Sequence, residues 1–150
     1  MTGTIRFAVK ADIADMSDID SLVSTLPWSL AQFLTACEPA GAAERALVIE
    51  TSTGTAGFVV YHAVLDEGSI YNIAVAPGQQ RRGYAQQLLL AAMANMVELG
   101  VLRCLLEVRE SNIAARNLYD SFGFHLDGVR SNYYRNGDQR EDALLMSKLL

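Results

Sequence analysis

The segment that most constrains this chain is a glycine-containing turn between a predicted strand and a long predicted helix. Residues 69–75 have the pattern of a strand, and Pro77-Gly78 ends it. An amphipathic helix is predicted from about Gly83 to Leu99, with Gly100 as the residue that follows its last turn. The chain must therefore fold so that a buried strand leads directly into the N-terminus of a long helix.

The turn itself, Gln80-Arg81-Arg82-Gly83-Tyr84-Ala85, has the features of an anion site. The first backbone N–H groups of a helix have no acceptor within it, and together with the helix dipole they attract negative charge. Gly83 lets the backbone approach a phosphate closely, Ala85 is small, and Arg81 and Arg82 add positive charge. The segment is neither a Walker A loop nor a Gly-x-Gly-x-x-Gly dinucleotide turn. Taken alone, it fits the basic first turn of a surface helix equally well.

The remaining pattern alternates strands and helices around this unit. Further strands are predicted around residues 5–9, at 46–50 and 57–65 on either side of a 51–55 turn, at 101–108, and near 124–133 and 143–149. Further helices are predicted after Asp12, through Ile13, Met16, Ile19, Leu22, Val23 and Leu26; after Ser29, as a short capped helix; and from Ser111 or Asn112 to Phe122, before Gly123. The order β-α-α-β-β-β-α-β-α-β-β predicts one α/β domain over residues 1–150 with a mixed sheet.

Composition limits the classes of partner. The chain has 150 residues, of which 51% are hydrophobic, and a net charge of −5. This hydrophobic fraction is enough for a packed core, and the net charge argues against a broad basic face for nucleic acid. The sequence contains no apolar stretch of about 18 residues and no signal-peptide pattern in its first ten residues. We therefore expect a cytoplasmic protein, a monomer or weak dimer, without a nucleic-acid or membrane partner.

The cysteines and histidines give no indication of a metal or redox site. Cys37 and Cys104 lack the spacing of metal ligands or of a redox pair, and we expect both to be reduced, buried thiols. His62 and His125 are isolated in strand-like segments, where packed or surface histidines are more common than ligands. No metal is predicted.

The turn and its surroundings resemble the GCN5-related N-acetyltransferase family, whose pyrophosphate loop reads Gln/Arg-x-x-Gly-x-Gly/Ala. Ile73-Ala74-Val75-Ala76-Pro77 precedes the turn at the family's spacing, and Asn112 and Tyr119 follow at the expected distance. The resemblance implies a mixed, mostly antiparallel sheet of six to seven strands with about four helices on its faces. It also implies acetyl-CoA as the co-substrate.

The same resemblance implies where the co-substrate lies. Ile73, Ala74 and Val75 would line the pantetheine arm, with the Val75 N–H directed at the thioester carbonyl. The diphosphate would be held by the turn and the first helical residues, namely Arg81, Arg82, Gly83, Tyr84, Ala85 and Gln86. Asn112 would add a further contact to the cofactor.

Glu107 and Tyr119 are the candidate general base and general acid. On the predicted strand Glu107 lies on the face opposite Leu106 and Val108, and from this pattern alone a solvated strand face explains it at least as well. Without the family, Tyr119 is better explained as an aromatic core residue beside Leu118 and Phe122. However, the segments Leu106-Glu107-Val108-Arg109 and 117–124 resemble family motifs, and this implies the two catalytic roles.

Other segments resemble a bacterial branch of the family that acetylates the N-terminal alanine of small-subunit ribosomal protein eighteen. These segments are Pro27-Trp28-Ser29, Tyr71-Asn72-Ile73-Ala74-Val75, Asn132-Tyr133-Tyr134 and Arg140-Glu141-Asp142-Ala143. The resemblance implies that Trp28, Tyr133 and Tyr134 shape a peptide groove. Without it, Trp28 fits a cap over a helix turn, and the two tyrosines fit a hairpin pair with one ring in and one out. Arg135 replaces a proline that the family often has, so we expect a more mobile loop there.

The chemistry of the amine favours a protein N-terminus as acceptor. An α-amine with a pKa near 8 is neutral in about a tenth of molecules at pH 7, whereas a lysine amine is neutral in about four of ten thousand. Direct attack of the amine needs no covalent enzyme intermediate, so a ternary complex is expected. Two alternatives remain open: acetylation of a small-molecule amine, and a regulatory module that binds CoA without catalysis.

Overall fold

A computed structural model describes residues 3–38 and 42–150. Its strands are β1 Thr4–Phe7, β2 Glu44–Thr51, β3 Gly54–Val64, β4 Glu67–Val75, β5 Arg103–Arg109, β6 His125–Asn136 and β7 Gln139–Leu149. Its α-helices are α1 Ile13–Val23, α2 Leu30–Ala36, α3 Tyr84–Glu98 and α4 Ile113–Ser121. The strands form one sheet in the order β1-β2-β3-β4-β5-β7-β6, in which only β4 and β5 are parallel. The predicted fold class and order of elements are confirmed.

The sheet has helices on both faces because its central strands are apolar on both faces. Side chains alternate along β2, so that Leu47 and Ile49 pack on the side of α3, and Ala46 and Val48 pack on the side of α1 and α2. The first core includes Leu88, Leu89 and Met96 of α3 together with Tyr119 of α4, and the second includes Met16, Ile19 and Phe33. Burial of each large apolar side chain contributes about 1.5–3 kcal/mol.

The two central strands separate halfway along their length. β4 pairs with β5 from Glu67 opposite Arg103 to Ile70 opposite Leu106, and no further. A bulge in the β3–β4 ladder occurs at the same level, since Val60 pairs with Asn72 while Tyr61 pairs with Ile70, and Tyr71 is the extra residue. A bulge bends the strand that carries it. The C-terminal half of β4 therefore diverges from β5 and leaves a cleft.

The start and end of α1 differ from the prediction. Asp12 precedes the helix, but its side chain does not cap it. The Asp12 carboxylate instead accepts hydrogen bonds from the Val9 N–H at 2.7 Å and from Arg6 at 2.7 and 2.8 Å. Arg6 thereby lowers the pKa of Asp12. The helix ends at Val23, and Leu26, predicted to lie on its apolar stripe, is 61% exposed.

The last hairpin is longer than predicted. Tyr133 and Tyr134 lie within β6 and not in a loop. Arg135, expected to lie in a mobile loop, pairs with Arg140 in the β6–β7 ladder, and its carbonyl accepts a hydrogen bond from Arg109 at 2.8 Å. The strand pairing and the Arg109 side chain therefore restrain Arg135, which stands where the family often has a proline.

Candidate active site

A cavity of about 890 Å³ occupies the cleft between β4 and β5. This volume is within the range of small-molecule sites. Thirteen of the fifteen predicted site residues line it: Trp28, Ile73, Ala74, Val75, Arg81, Gly83, Tyr84, Ala85, Gln86, Glu107, Asn112, Tyr119 and Tyr134. Arg82 and Tyr133 are not among the lining residues.

The turn before α3 has the backbone conformation of an anion site. Gly83 is the N-cap of α3 with φ of 82°, and Arg81 is left-handed as well, with φ of 64°. The first intrahelical bond runs from the Gln87 N–H to the Gly83 carbonyl, so the amides of Ala85 and Gln86 have no acceptor within the helix. These amides, the positive end of the helix dipole and Arg81 therefore lie at the same end of the cavity.

The end of β4 directs backbone groups of Val75 into the cleft. The Ala76 N–H donates to the Ala56 carbonyl at 2.8 Å, on the β3 side. Successive residues of an extended strand direct their backbone groups to opposite edges, so those of Val75 point away from β3. The side-chain amide of Gln80 donates to the Val75 carbonyl at 3.2 Å, in agreement with this direction. The Val75 N–H therefore faces the cavity.

Glu107 lies on the β5 side of the cavity, where its side chain is 35% exposed. Cys104, Leu106 and Val108 are buried on the opposite face, as the alternation predicts. The Glu107 carboxylate is 3.5 Å from a guanidinium nitrogen of Arg130. Both groups are partly exposed, so the ion pair is weak and the carboxylate can exchange this partner for another cation.

Tyr119 enters the cavity from α4. Its side chain is almost completely buried, beside Phe124 at a ring-centroid distance of 5.7 Å. Burial raises the pKa of the Tyr119 phenol, so the group keeps its proton at neutral pH. The helix that carries it is capped by Asn112, whose side-chain oxygen accepts from the Ala115 N–H at 3.2 Å. Asn112 thus caps α4 and lines the cavity at once.

The two tyrosines of β6 have different surroundings. Between the pairs Arg130–Ala143 and Tyr134–Glu141, three residues of β6 (131–133) face the single residue Asp142 of β7, so β6 has two extra residues there. This irregularity interrupts the alternation of side chains just before Tyr134. Tyr134 lines the cavity, and both burial and Glu107 raise the pKa of its phenol. Tyr133 is 46% exposed and its ring lies under Arg130, with 5.2 Å between the guanidinium carbon and the ring centroid.

Arg109 was named from the sequence only within a motif and without a role, yet it lines the cavity and supports Tyr134. Its guanidinium carbon lies 4.4 Å from the centroid of the Tyr134 ring, and its side chain is only 18% exposed. Glu141 holds Arg109 at 3.2 Å and also accepts from Ser111 and Asn136. The motif containing Glu141 was recognised from the sequence, but its partner on β5 lies 32 residues away, and no local pattern joins the two.

The sequence interpretation missed Asp20. It is completely buried on α1, and its carboxylate accepts from Ser24, from the Trp28 N–H and from Asn72. The signal was present in the sequence, because Asp20 is a charged residue on the helix face that Met16 and Ile19 define.

The histidines and cysteines lie outside the cleft. His62 stacks on Tyr71 with 5.5 Å between ring centroids, and His125 pairs with Asp127 at the surface. Both cysteines are free thiols; Cys104 is buried and Cys37 is half-buried. Residues 3–38 and 42–150 contain no group of three His, Cys, Asp or Glu side chains that could hold a metal ion. In the same part of the chain, every helix is too short or too polar to cross a membrane.

Comparison with known proteins places this geometry among acyltransferases. The model of the acetyltransferase (GNAT) family matches residues 14–124. The ribosomal protein bS18-alanine N-acetyltransferase of Escherichia coli K12 is 37% identical over 146 residues, 96% of this chain and 95% of the relative. The Haemophilus ducreyi protein of the same name is 34% identical over 97% of this chain and 99% of its own length.

Solved structures give the same result. The crystal structure of the ribosomal-protein-S18-alanine N-acetyltransferase from Escherichia coli superposes with a TM-score of 0.89 at 34% identity, over 98% of this chain and 93% of that chain. Ard1 from Thermoplasma volcanium superposes with a TM-score of 0.88 at 26% identity, over 100% of this chain and 99% of that chain.

Proposed function

Because this chain belongs to the acetyltransferase (GNAT) family, we propose that it transfers the acetyl group of acetyl-CoA to the N-terminal α-amine of a protein. The proposed acceptor is the N-terminal alanine of ribosomal protein bS18, as the names of the relatives state for those enzymes. The proposal includes action in the cytoplasm, where that substrate is made, and a single catalytic domain over residues 1–150.

One observation carries the proposal: the divergence of β4 from β5 beyond Ile70 and Leu106. It opens a cavity that has the left-handed entrance of α3 at one end and Glu107 and Tyr134 in its β5 and β6 walls. A diphosphate, an extended arm and an amine can then share one cleft.

The residues fit acetyl-CoA. The turn around Gly83 and the amides of Ala85 and Gln86 would hold the diphosphate, with Arg81 and Arg82 as neutralising charges. The exposed edge of β4 at Ile73, Ala74 and Val75 would pair with the pantetheine arm, and Asn112 would add a contact through its amide nitrogen. When bound, acetyl-CoA supplies an activated thioester, whose C–S bond breaks as the new C–N bond forms.

We assign the proton transfers to two residues of the cavity. Glu107 accepts a proton from the attacking amine, and its carboxylate also attracts the ammonium form of an N-terminus in place of Arg130. Tyr119 donates a hydrogen bond and a proton toward the departing sulfur, for which its buried, protonated phenol is suited. The Val75 N–H stabilises the negative charge that develops on the carbonyl oxygen; one such donor is worth about 3 kcal/mol.

The acceptor would enter between Trp28 and Tyr134, which both line the cavity. Tyr133, which does not line it, would contact a peptide only outside the cavity mouth. A small-molecule amine is the alternative acceptor, and a module without catalysis is the alternative to an enzyme.

Competition between acceptors tests the proposal. A peptide with the first residues of bS18 would be mixed with the same peptide blocked at its N-terminus, a lysine-containing peptide and a polyamine, and the acetylated site would be read by mass spectrometry. We expect acetylation of the free N-terminal alanine alone. Preferred acetylation of the polyamine would favour the small-amine alternative, and binding of acetyl-CoA without turnover would favour the module.

A further inference from the structure

We propose that Asp20 is a positioning residue that fixes the acceptor loop, defined as residues 24–28, against β4 and so sets the affinity for the peptide acceptor. The proposal rests on the proposed N-terminal acetyl transfer, because the acceptor loop carries Trp28 and forms one wall of the cavity. Asp20 itself does not line the cavity, so it acts through the residues that it holds.

The burial of Asp20 requires an explanation. Its relative exposure is 0%, and it lies beside Ile19 on the apolar face of α1. A buried carboxylate is strongly unfavourable unless its oxygens accept hydrogen bonds. If this position only filled the core, an apolar side chain such as leucine would do so without the cost of burying a charge. The hydrogen bonds of the carboxylate are therefore what distinguishes Asp20 from a packing residue.

The donors to Asp20 come from both ends of the acceptor loop and from the strand behind it. Oδ1 accepts from the Ser24 hydroxyl at 2.5 Å and from the Asn72 amide nitrogen at 3.1 Å. Oδ2 accepts from the Trp28 N–H at 2.7 Å. One side chain therefore ties the first and last residues of the loop to β4, next to Ile73.

The bonds of Asp20 thus connect the part of the cavity proposed for the peptide acceptor with the part proposed for acetyl-CoA. Thr25, Leu26 and Trp28 line the cavity on the loop side, and Asn72 and Ile73 line it on the strand side. Leu26 is 61% exposed, so apolar burial does little to hold the middle of the loop. The two ends are held by the bonds to Asp20 and, at Trp28, also by packing of its ring on Phe33 with 5.4 Å between ring centroids. Loss of these bonds displaces the acceptor wall, while β4 keeps its pairing with β3.

Asp20→Asn in the full-length enzyme tests the proposal. The amide retains one acceptor oxygen, and its nitrogen replaces the other. This nitrogen is a donor that faces either the Trp28 N–H or the Ser24 hydroxyl and the Asn72 amide nitrogen, so the three bonds cannot all be kept as they are. We expect KM for the bS18 peptide to rise about tenfold, the value of one charged hydrogen bond, with kcat and KM for acetyl-CoA little changed. Asp18→Asn is the matched control, because Asp18 lies on the exposed side of the same helix.

Fluorescence supplies a second readout that needs no turnover. Trp28 is the only tryptophan of the chain, so its emission reports the acceptor loop alone. We expect a shifted emission spectrum for Asp20→Asn without ligand and a smaller change when the peptide is added. If Asp20→Asn folds poorly, Ser24→Ala and Asn72→Ser, which each remove one donor, are expected to give the same two effects at smaller size.

Two results would overturn the proposal. The first is wild-type peptide KM and wild-type Trp28 emission in the variants. The second is an equal rise in KM for peptide and acetyl-CoA together with a lower melting temperature, which would indicate a general structural role. If the wild-type protein transfers no acetyl group, the proposed function fails by itself, and the emission of Trp28 in the free protein still decides whether Asp20 holds the loop.

Discussion

The two ends of the cleft are built in different ways. The side proposed for the cofactor, formed by the second half of β4 and the turn before α3, depends on backbone conformation: the bulge at Tyr71, the direction of the Val75 N–H and the left-handed Gly83. The acceptor side, formed by residues 24–28, the end of β5 and the last hairpin, depends on contacts between distant side chains, such as Asp20 with Asn72 and Arg109 with Tyr134. In the proposed function, backbone groups hold the co-substrate, whereas contacts between side chains shape the acceptor site.

The largest expected effect is that of Tyr119→Phe, where the two sides meet. Loss of the general acid is expected to lower kcat about 10²- to 10⁴-fold, with unchanged affinity for acetyl-CoA. Because burial raises the pKa of this phenol above its ordinary value near 10, the wild-type rate is not expected to fall as the pH rises from about 8 to 10. Single-turnover kinetics across this range measure both quantities.

Tyr61→Phe is the control for this variant. Tyr61 is fully buried in the same core and donates to Asn95 at 2.6 Å, away from the cavity. The Tyr61→Phe variant should have a lower free energy of unfolding and an unchanged turnover. A wild-type single-turnover rate in Tyr119→Phe would remove this residue from the mechanism.

Glu107→Gln is expected to have the next largest effect and to act on the acceptor side alone. We expect kcat to fall about 10²-fold at pH 7. The loss should shrink as the pH passes about 8, because the α-amine is then mostly neutral without a base. Steady-state kinetics from pH 6 to 9 test this, with Glu110→Gln, exposed just after β5, as the control. Turnover like that of the wild type over the whole range would mean that Glu107 is not the base.

Arg109→Gln sharpens the comparison, since Arg109 lines the cavity on the acceptor side and contacts the Tyr134 ring. Removal of the guanidinium from the Tyr134 ring and from the Arg135 carbonyl is expected to raise the peptide KM about threefold to tenfold, with no change for acetyl-CoA. Arg103→Gln on the same strand, remote from the cavity, should leave both constants unchanged. A larger effect on acetyl-CoA than on peptide would contradict the division of the cleft into two sides.

Asp12→Asn is expected to affect neither side of the cleft and to change stability alone. The pairing of Asp12 with Arg6 adds about 1–3 kcal/mol to the free energy of unfolding, and the partial exposure of Arg6 reduces this value. Because Arg6 lowers the pKa of Asp12 in the folded state, this contribution is present above the ordinary pKa near 3.9 and is lost as the pH falls through the lower folded value. Urea unfolding of both proteins should differ from about pH 5 to 8 and converge in stronger acid. A constant difference down to the lowest pH would contradict this account.

The same division explains what the sequence could predict. Gly83, Ala85 and the strand before them are adjacent in the chain, so a local pattern was enough to predict the turn and the helix start. The resemblance to the family then implied thirteen of the residues that line the cavity. The bulge at Tyr71 and the early end of the β4–β5 ladder depend on three strands at once and leave no local signature. The role of Asp12 was missed because its partner Arg6 lies on β1, and Arg109 and Glu141 meet only after β5 and β7 have paired.

Calorimetric titration with acetyl-CoA tests most directly whether the backbone of the turn is the cofactor site. We predict that wild-type protein and Gly78→Ala, a change in the same turn at a position with open space around it, bind equally well. We predict that Gly83→Ala binds about tenfold more weakly, since a side chain at a positive φ costs about 1–2 kcal/mol and the free turn will relax out of that conformation. No binding by the wild type, or equal affinity in all three proteins, would contradict the central claim.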